Sequence, residues 1–131
     1  RARADALAQR IGGTLTAIDW REAEDALADS DLLINTTALG MAGQDPLNFS
    51  LNQLPAHTAV ADIVYVPLAT PLLQAARARG NPTLDGLGML LHQAVRGFEL
   101  WFGVRPEVTP ELNAEEAAAI ASLRALLEAS L

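Results

Sequence analysis

Cysteine is absent from the chain, which excludes disulfides and thiolate metal sites. The absence agrees with a cytoplasmic location. Only His57 and His92 offer imidazole, and they lie in unrelated segments, so no metal site is expected. No apolar run is long enough to span a membrane. Arg1-Ala2-Arg3-Ala4-Asp5 already follows a helical pattern rather than that of a signal peptide. Basic residues are few. The net charge of −7 argues against nucleic acid as the main partner, because neutralising phosphates needs a basic face. It does not argue against one anionic ligand held by local arginines and helix N-termini. The hydrolase pattern G-x-S-x-G and the full G-x-G-x-x-G phosphate loop are both missing. So are internal repeats and low-complexity linkers.

What remains is a chain of 131 residues, half of them hydrophobic, enough for one domain with a core. Arg1 to Ile11 reads as a helix ended by Gly12-Gly13. It has no N-capping residue, which leads to the expectation that the chain begins inside a helix of something longer. Thr14 to Ile18 reads as a short strand. Asp19 and Glu22 have capping-box spacing and open a helix to about Asp29. Asp31 to Asn35 and Ala59 to Tyr65 read as strands buried on both faces. Between them, Thr36 to Pro46 is loop, and Leu47 to Leu54 is expected to hold one helical turn. Thr70-Pro71 is an N-cap followed by proline at the first helical position, and that helix ends at Gly80. Pro82-Thr83-Leu84 is a final short strand. Asn113 to Glu116 reads as a capping box for a last helix, with Ile120, Leu123 and Leu127 as its apolar side. Strand and helix alternate, which predicts an α/β fold: a doubly wound, incomplete Rossmann-like parallel sheet with flanking helices, in three layers α/β/α.

The helix opened by Asp85-Gly86-Leu87-Gly88 carries a broad apolar stripe: Leu87, Leu90, Leu91, Ala94, Val95, Phe98, Trp101 and Phe102. The stripe is expected to face a core, and Gly103 to end the helix. Gly86, Met89, Gln93 and Gly97 fall on a narrow line beside it. Small, soft and amide groups there suit a flat ligand, although the glycines would equally serve as an entry turn. In open α/β sheets ligands bind at the carboxyl ends of strands. Three such ends, beginning at Asn35, Ile63 and Asp85, bear small or amide-carrying residues. Threonines and glycines also simply make good turns. Asp62 and Asp85 are better candidates for structural hydrogen bonds to loop amides than for catalysis. Tyr65 is open to two readings, a core phenol or a ligand contact.

Three segments together are more specific. Asp31 to Met41 resembles the N-A-T-S-x-G-M segment of shikimate dehydrogenases. Asp62 to Leu73 resembles their D-x-x-Y-x-P-x-x-T-P-L-L, and Asp85 to Trp101 their D-G-x-G-M-L-x-x-Q-x-x-x-x-F-x-x-W. They occur in the family's order and spacing, over roughly Arg1 to Pro110. The resemblance implies reversible hydride transfer between NADPH and the ketone of 3-dehydroshikimate. It also implies an N-terminal substrate domain that holds the catalytic lysine and aspartate, followed by the glycine-rich loop, all absent from this chain. Residues 1–110 would then be part of an NADP-binding domain, and 111–131 a helix packing on a neighbouring domain or chain.

Residue by residue, the resemblance implies that Tyr65 and Gln93 contact substrate. Thr37, Ile63, Gly86 and Met89 would contact the cofactor: Gly86 by letting the backbone come close to the carboxamide, Met89 as a soft wall on the nicotinamide ring. Arg3 corresponds to an arginine near the 2′-phosphate of NADP. No catalytic residue is expected in this chain. Ala38 stands where a serine is usual and Val66 where a polar residue is common. Two other readings remain. One is an NAD-dependent quinate/shikimate dehydrogenase. The other is a non-catalytic half-Rossmann module, whose exposed sheet edge would favour homodimerisation.

Overall fold

The computed structural model describes residues 1–118. Helix α1 spans Ala2–Ile11, and two 3-10 turns follow at Trp20–Glu22 and Asp25–Asp29. Strand β1 is Leu32–Asn35, β2 is Ala59–Asp62 and β3 is Thr83–Leu84. Helix α2, Pro71–Ala78, links β2 to β3, and helix α3, Leu87–Phe102, leaves β3. The strands run parallel in the order β1-β2-β3. This is the incomplete Rossmann-like parallel sheet with flanking helices that the alternating pattern predicts.

Local chemistry explains the element ends. The Thr70 hydroxyl accepts from the Leu73 amide at 3.3 Å, and Pro71 fills a position where an N–H would go unused. The helix that follows buries Leu72, Leu73 and Ala76. These pack with Val60, Leu27, Leu51 and Leu54 into the core, edged by Leu33, Leu47 and Phe49. Burying one such leucine is worth roughly 2 kcal/mol. Register puts Leu33 beside Val60 and Asn35 beside Asp62 on the sheet face beneath α2. Leu32, Ile34, Ala59, Ala61 and Leu84 share the opposite face.

Several boundaries differ from expectation. Thr14 to Ile18 forms no strand, because no described strand runs beside it to share a ladder. The segment after Asp19 makes the two 3-10 turns rather than one helix. Its reciprocal cap is present: Arg21 N–H donates to Asp19 Oδ1 and Asp19 N–H to Glu22 Oε2, both at 3.0 Å. Leu47 to Leu54 holds a turn closed by Leu54 N–H to Leu51 O, not a helical one. Strand β2 stops at Asp62 instead of Tyr65, because the Asp62 carboxylate takes the Val64 amide at 3.0 Å. Neither β1 nor β2 is fully buried on both faces: Leu32 and Ile34 are 51% and 49% exposed, and Ala59 and Ala61 are only partly buried. The apolar stripe of α3 buries only Leu87, while Trp101 is 81% exposed. The last helix, α4, covers 110–118 of the described residues, starting before Asn113 rather than after it, and its cap is Thr109, whose hydroxyl accepts from Leu112 N–H at 3.2 Å. Ile120, Leu123 and Leu127 lie outside the described residues.

Candidate functional site

The carboxyl ends of β1 and β2 meet through a buried polar network. Asn35, Asp62 and Thr70 are each at most 4% exposed. Asp62 Oδ1 accepts from Asn35 Nδ2 at 3.1 Å and from the Val64 amide at 3.0 Å. Asp62 Oδ2 accepts from the Thr70 hydroxyl at 2.7 Å. A buried carboxylate with no partner cation among the described residues therefore has three donors, the condition under which burial of such a group is tolerable. Asn35 uses the other end of its amide on the next turn. Its Oδ1 accepts from the Thr37 amide at 3.0 Å and the Thr37 hydroxyl at 2.8 Å, and its Nδ2 also donates to Leu39 O at 3.1 Å.

Thr37 itself is exposed at the rim. Its hydroxyl proton is committed to Asn35, and the oxygen accepts from Leu39 N–H at 3.1 Å. That leaves the hydroxyl with one remaining lone pair. Ile63 donates its amide to Asn35 O at 3.1 Å, so it sits directly against the β1 end. Gly86 closes the third side: its N–H donates to Val64 O at 3.2 Å. A Cβ added at Gly86 would lie 2.2 Å from Ile63 O and 2.8 Å from Val64 O. The need for glycine there thus arises from the neighbouring strand end. Leu87 N–H donates to Asp85 Oδ1 at 3.1 Å, the structural role expected of that carboxylate.

Thr37, Ile63 and Gly86 are therefore joined at one rim. Tyr65 adjoins it, half-buried, and lines a pocket of about 230 Å³ with Met41, Ala42 and Val66. The loop and the turn are tied there by Ala42 N–H to Val66 O at 2.9 Å. The Tyr65 hydroxyl makes no hydrogen bond among the described residues. Met89 and Gln93 lie on α3, one and two turns beyond Gly86, both exposed and without side-chain hydrogen bonds among the described residues. Arg3 is exposed on α1, a helix that buries none of its residues, and no described hydrogen bond or ion pair links it to the rim.

The arrangement offers a polar, small-residue rim with the Tyr65 phenol beside it; no described contact joins Gln93, Met89 or Arg3 to that rim, and no acid–base pair is found at it among the described residues. No group of three or more His, Cys, Asp or Glu that could hold a metal ion occurs among the described residues. No described helix is long and apolar enough to cross a membrane. The sequence pointed to Asp62 as a loop-amide acceptor but did not reveal Asn35 and Thr70 as its partners. An asparagine ending a strand before Thr36-Thr37 is a usable signal for the first. Nothing local signals the second, eight residues from Asp62.

Residues 86–110 match the family model described as the shikimate 5'-dehydrogenase C-terminal domain. A shikimate dehydrogenase (NADP(+)) of Nitrobacter hamburgensis is 62% identical over 112 residues, which are 86% of this chain and 39% of that protein. One from Dinoroseobacter shibae is 56% identical over 114 residues, 87% of this chain and 41% of that protein. The chain thus spans about two fifths of the length of these relatives. Among solved structures, a quinate dehydrogenase from Corynebacterium glutamicum in complex with NAD superposes with a TM-score of 0.72 at 38% identity, covering 86% of this chain and 40% of that one. A shikimate 5-dehydrogenase from Thermus thermophilus in complex with NADP(H) and shikimate gives 0.71 at 33% identity, covering 91% and 42%.

Proposed function

The chain belongs to the shikimate dehydrogenase family, and from that premise we propose that it is the cofactor-side portion of an NADP-dependent shikimate dehydrogenase. Residues 1–110 form part of the NADP-binding domain. The observation that carries the reading is the single rim shared by Thr37, Ile63 and Gly86, with Tyr65 beside it.

The residues present fit the nicotinamide half of a dinucleotide. Gly86 lies buried against the end of β2, Thr37 is exposed at the rim, and Met89 is an exposed thioether one turn along α3. Bound NADPH would supply the hydride. This chain's part is to bind and orient. Tyr65 offers its hydroxyl and Gln93 its amide to a hydroxyl- and carboxylate-bearing substrate, and Arg3 an exposed guanidinium to a 2′-phosphate. The proton donor and the phosphate loop must come from elsewhere, so the chain alone is expected to turn over nothing.

The test is a chimaera in which this chain replaces the matching 112-residue segment of the Nitrobacter hamburgensis relative. The expected result is NADPH-dependent reduction of 3-dehydroshikimate within about tenfold of the parent's kcat/KM. A folded chimaera with no turnover overturns the reading. Running NADH and quinate in the same assay tests the second reading, which the likeness to an NAD-bound quinate dehydrogenase supports. The half-exposed Leu32 and Ile34 on edge strand β1 support the third, an interaction module. A tight dimer with no response to NADPH titration would favour it.

A further inference from the structure

Asp62 has no part in the proposed chemistry, yet its carboxylate ties three segments of the site together. It is 1% exposed, and its two oxygens take donors from three separate segments: Asn35 at the end of β1, Val64 in the turn after β2, and Thr70 at the start of α2. Through Asn35 the contact extends to both the amide and the hydroxyl of Thr37. Through Val64, whose carbonyl accepts from Gly86 N–H, it extends to the start of α3. Thr37 is assigned to the cofactor, Tyr65 and the α3 residue Gln93 to the substrate. One carboxylate therefore stands between the two sets of contacts.

We propose that Asp62 is a positioning residue that holds the cofactor-side turn at Thr37 and the substrate-side turn at Tyr65 in fixed relation, through Asn35 on one side and the Val64 amide on the other. The functional consequence rests on the assignment of Thr37 and Tyr65 made above; the mechanical link does not. A carboxylate suits the position because all three partners donate. An amide there would present a donor to at least one of them, and an alanine would leave three donors without an acceptor. The neighbouring core residues supply volume but cannot transmit direction, since apolar packing is non-directional.

The link is tested in the chain itself by amide hydrogen exchange of Asp62→Asn against the wild type. Exchange at Val64, Thr37 and Leu39 is expected to quicken at least about tenfold, with Val60, held by Pro82 O at 2.8 Å, nearly unchanged. Equal acceleration of every amide would mean general destabilisation only, and a response confined to Val64 would mean no relay; either overturns the proposal. Should Asp62→Asn not fold, Asn35→Ala decides. Thr37 and Leu39 should quicken while Val64, still bonded to Asp62, stays protected, and retained protection at Thr37 and Leu39 overturns the proposal.

In the chimaera, Asp62→Asn should raise the KM for NADPH and for 3-dehydroshikimate together, each about tenfold. Leu54→Ala, a core change away from the rim, should lower the amount of active enzyme and leave both KM values alone. An active chimaera whose KM values ignore Asp62→Asn overturns the positioning role. An inactive parent chimaera would remove the proposed function instead, and the exchange pattern would still decide the link.

Discussion

At Gly86 a methyl group would sit 2.2 Å from one backbone oxygen and 2.8 Å from another. Neither can swing aside as a side-chain tip can. Gly86→Ala should therefore push β3 and α3 away from β2 and cost about 2–3 kcal/mol in urea unfolding. Gly88 has nothing within 4 Å of its added Cβ and lies inside α3, so Gly88→Ala should stabilise, by roughly 0.5–1 kcal/mol. Equal effects at the two positions would show that the approach of α3 to β2 is wrongly described. The sequence picked out both glycines and could not tell them apart, because what separates them is the carbonyl of Ile63, more than twenty residues earlier. Thr37 teaches the same lesson. Its type and place at a strand end were legible, but that its hydroxyl proton already belongs to Asn35 was not.

Element ends that depend on neighbours in sequence were the legible ones: the Thr70-Pro71 start of α2, the Asp19–Glu22 cap, and Gly103 closing α3 with φ 69°. Elements that depend on distant partners were not. Thr14 to Ile18 has strand composition and no strand beside it, and β2 is shortened by its own terminal carboxylate. The α2 start allows a sharp test, since one hydroxyl both accepts from Leu73 and donates to Asp62. Thr70→Val removes both bonds at nearly constant volume and should cost about 2 kcal/mol, while Thr70→Ser should cost well under half of that. Thermal or urea unfolding of the pair measures the difference. At α4, hydrogen bonds from its own backbone amide and from the Thr109 hydroxyl hold the exposed Glu111 carboxyl below the ordinary range. A depressed folded pKa stabilises the helix start above the unfolded value, and that contribution is lost as pH falls through the folded one. An NMR titration should show the Glu111 midpoint move up toward the ordinary value in Thr109→Ala.

On the scale of the molecule, the core lies on one side of the sheet. Val60 packs against Leu72, Leu73 and Ala76 of α2, while Leu32, Ile34 and Leu84 line the other face at about half exposure or more. Phe98 and Phe102 on α3 meet as tilted rings with centroids 4.5 Å apart, both exposed, with Trp101 beside them in sequence. The alternating pattern announced the parallel sheet correctly, but hydrophobicity alone could not show which stripes are covered within this chain. Monomers rarely leave so many large apolar side chains in water. The isolated chain is therefore expected to associate as its concentration rises, seen by light scattering as a growing average mass. Ile34→Glu and Trp101→Glu should each reduce that association; the unfolding free energy should change by about 0.5 kcal/mol or less for Trp101→Glu, which is 81% exposed, and by about 1 kcal/mol for the half-covered Ile34. If instead either substitution unfolds the chain, that side chain is buried in the solution form, and the association observed for the wild type is part of its folding rather than a consequence of surface left open.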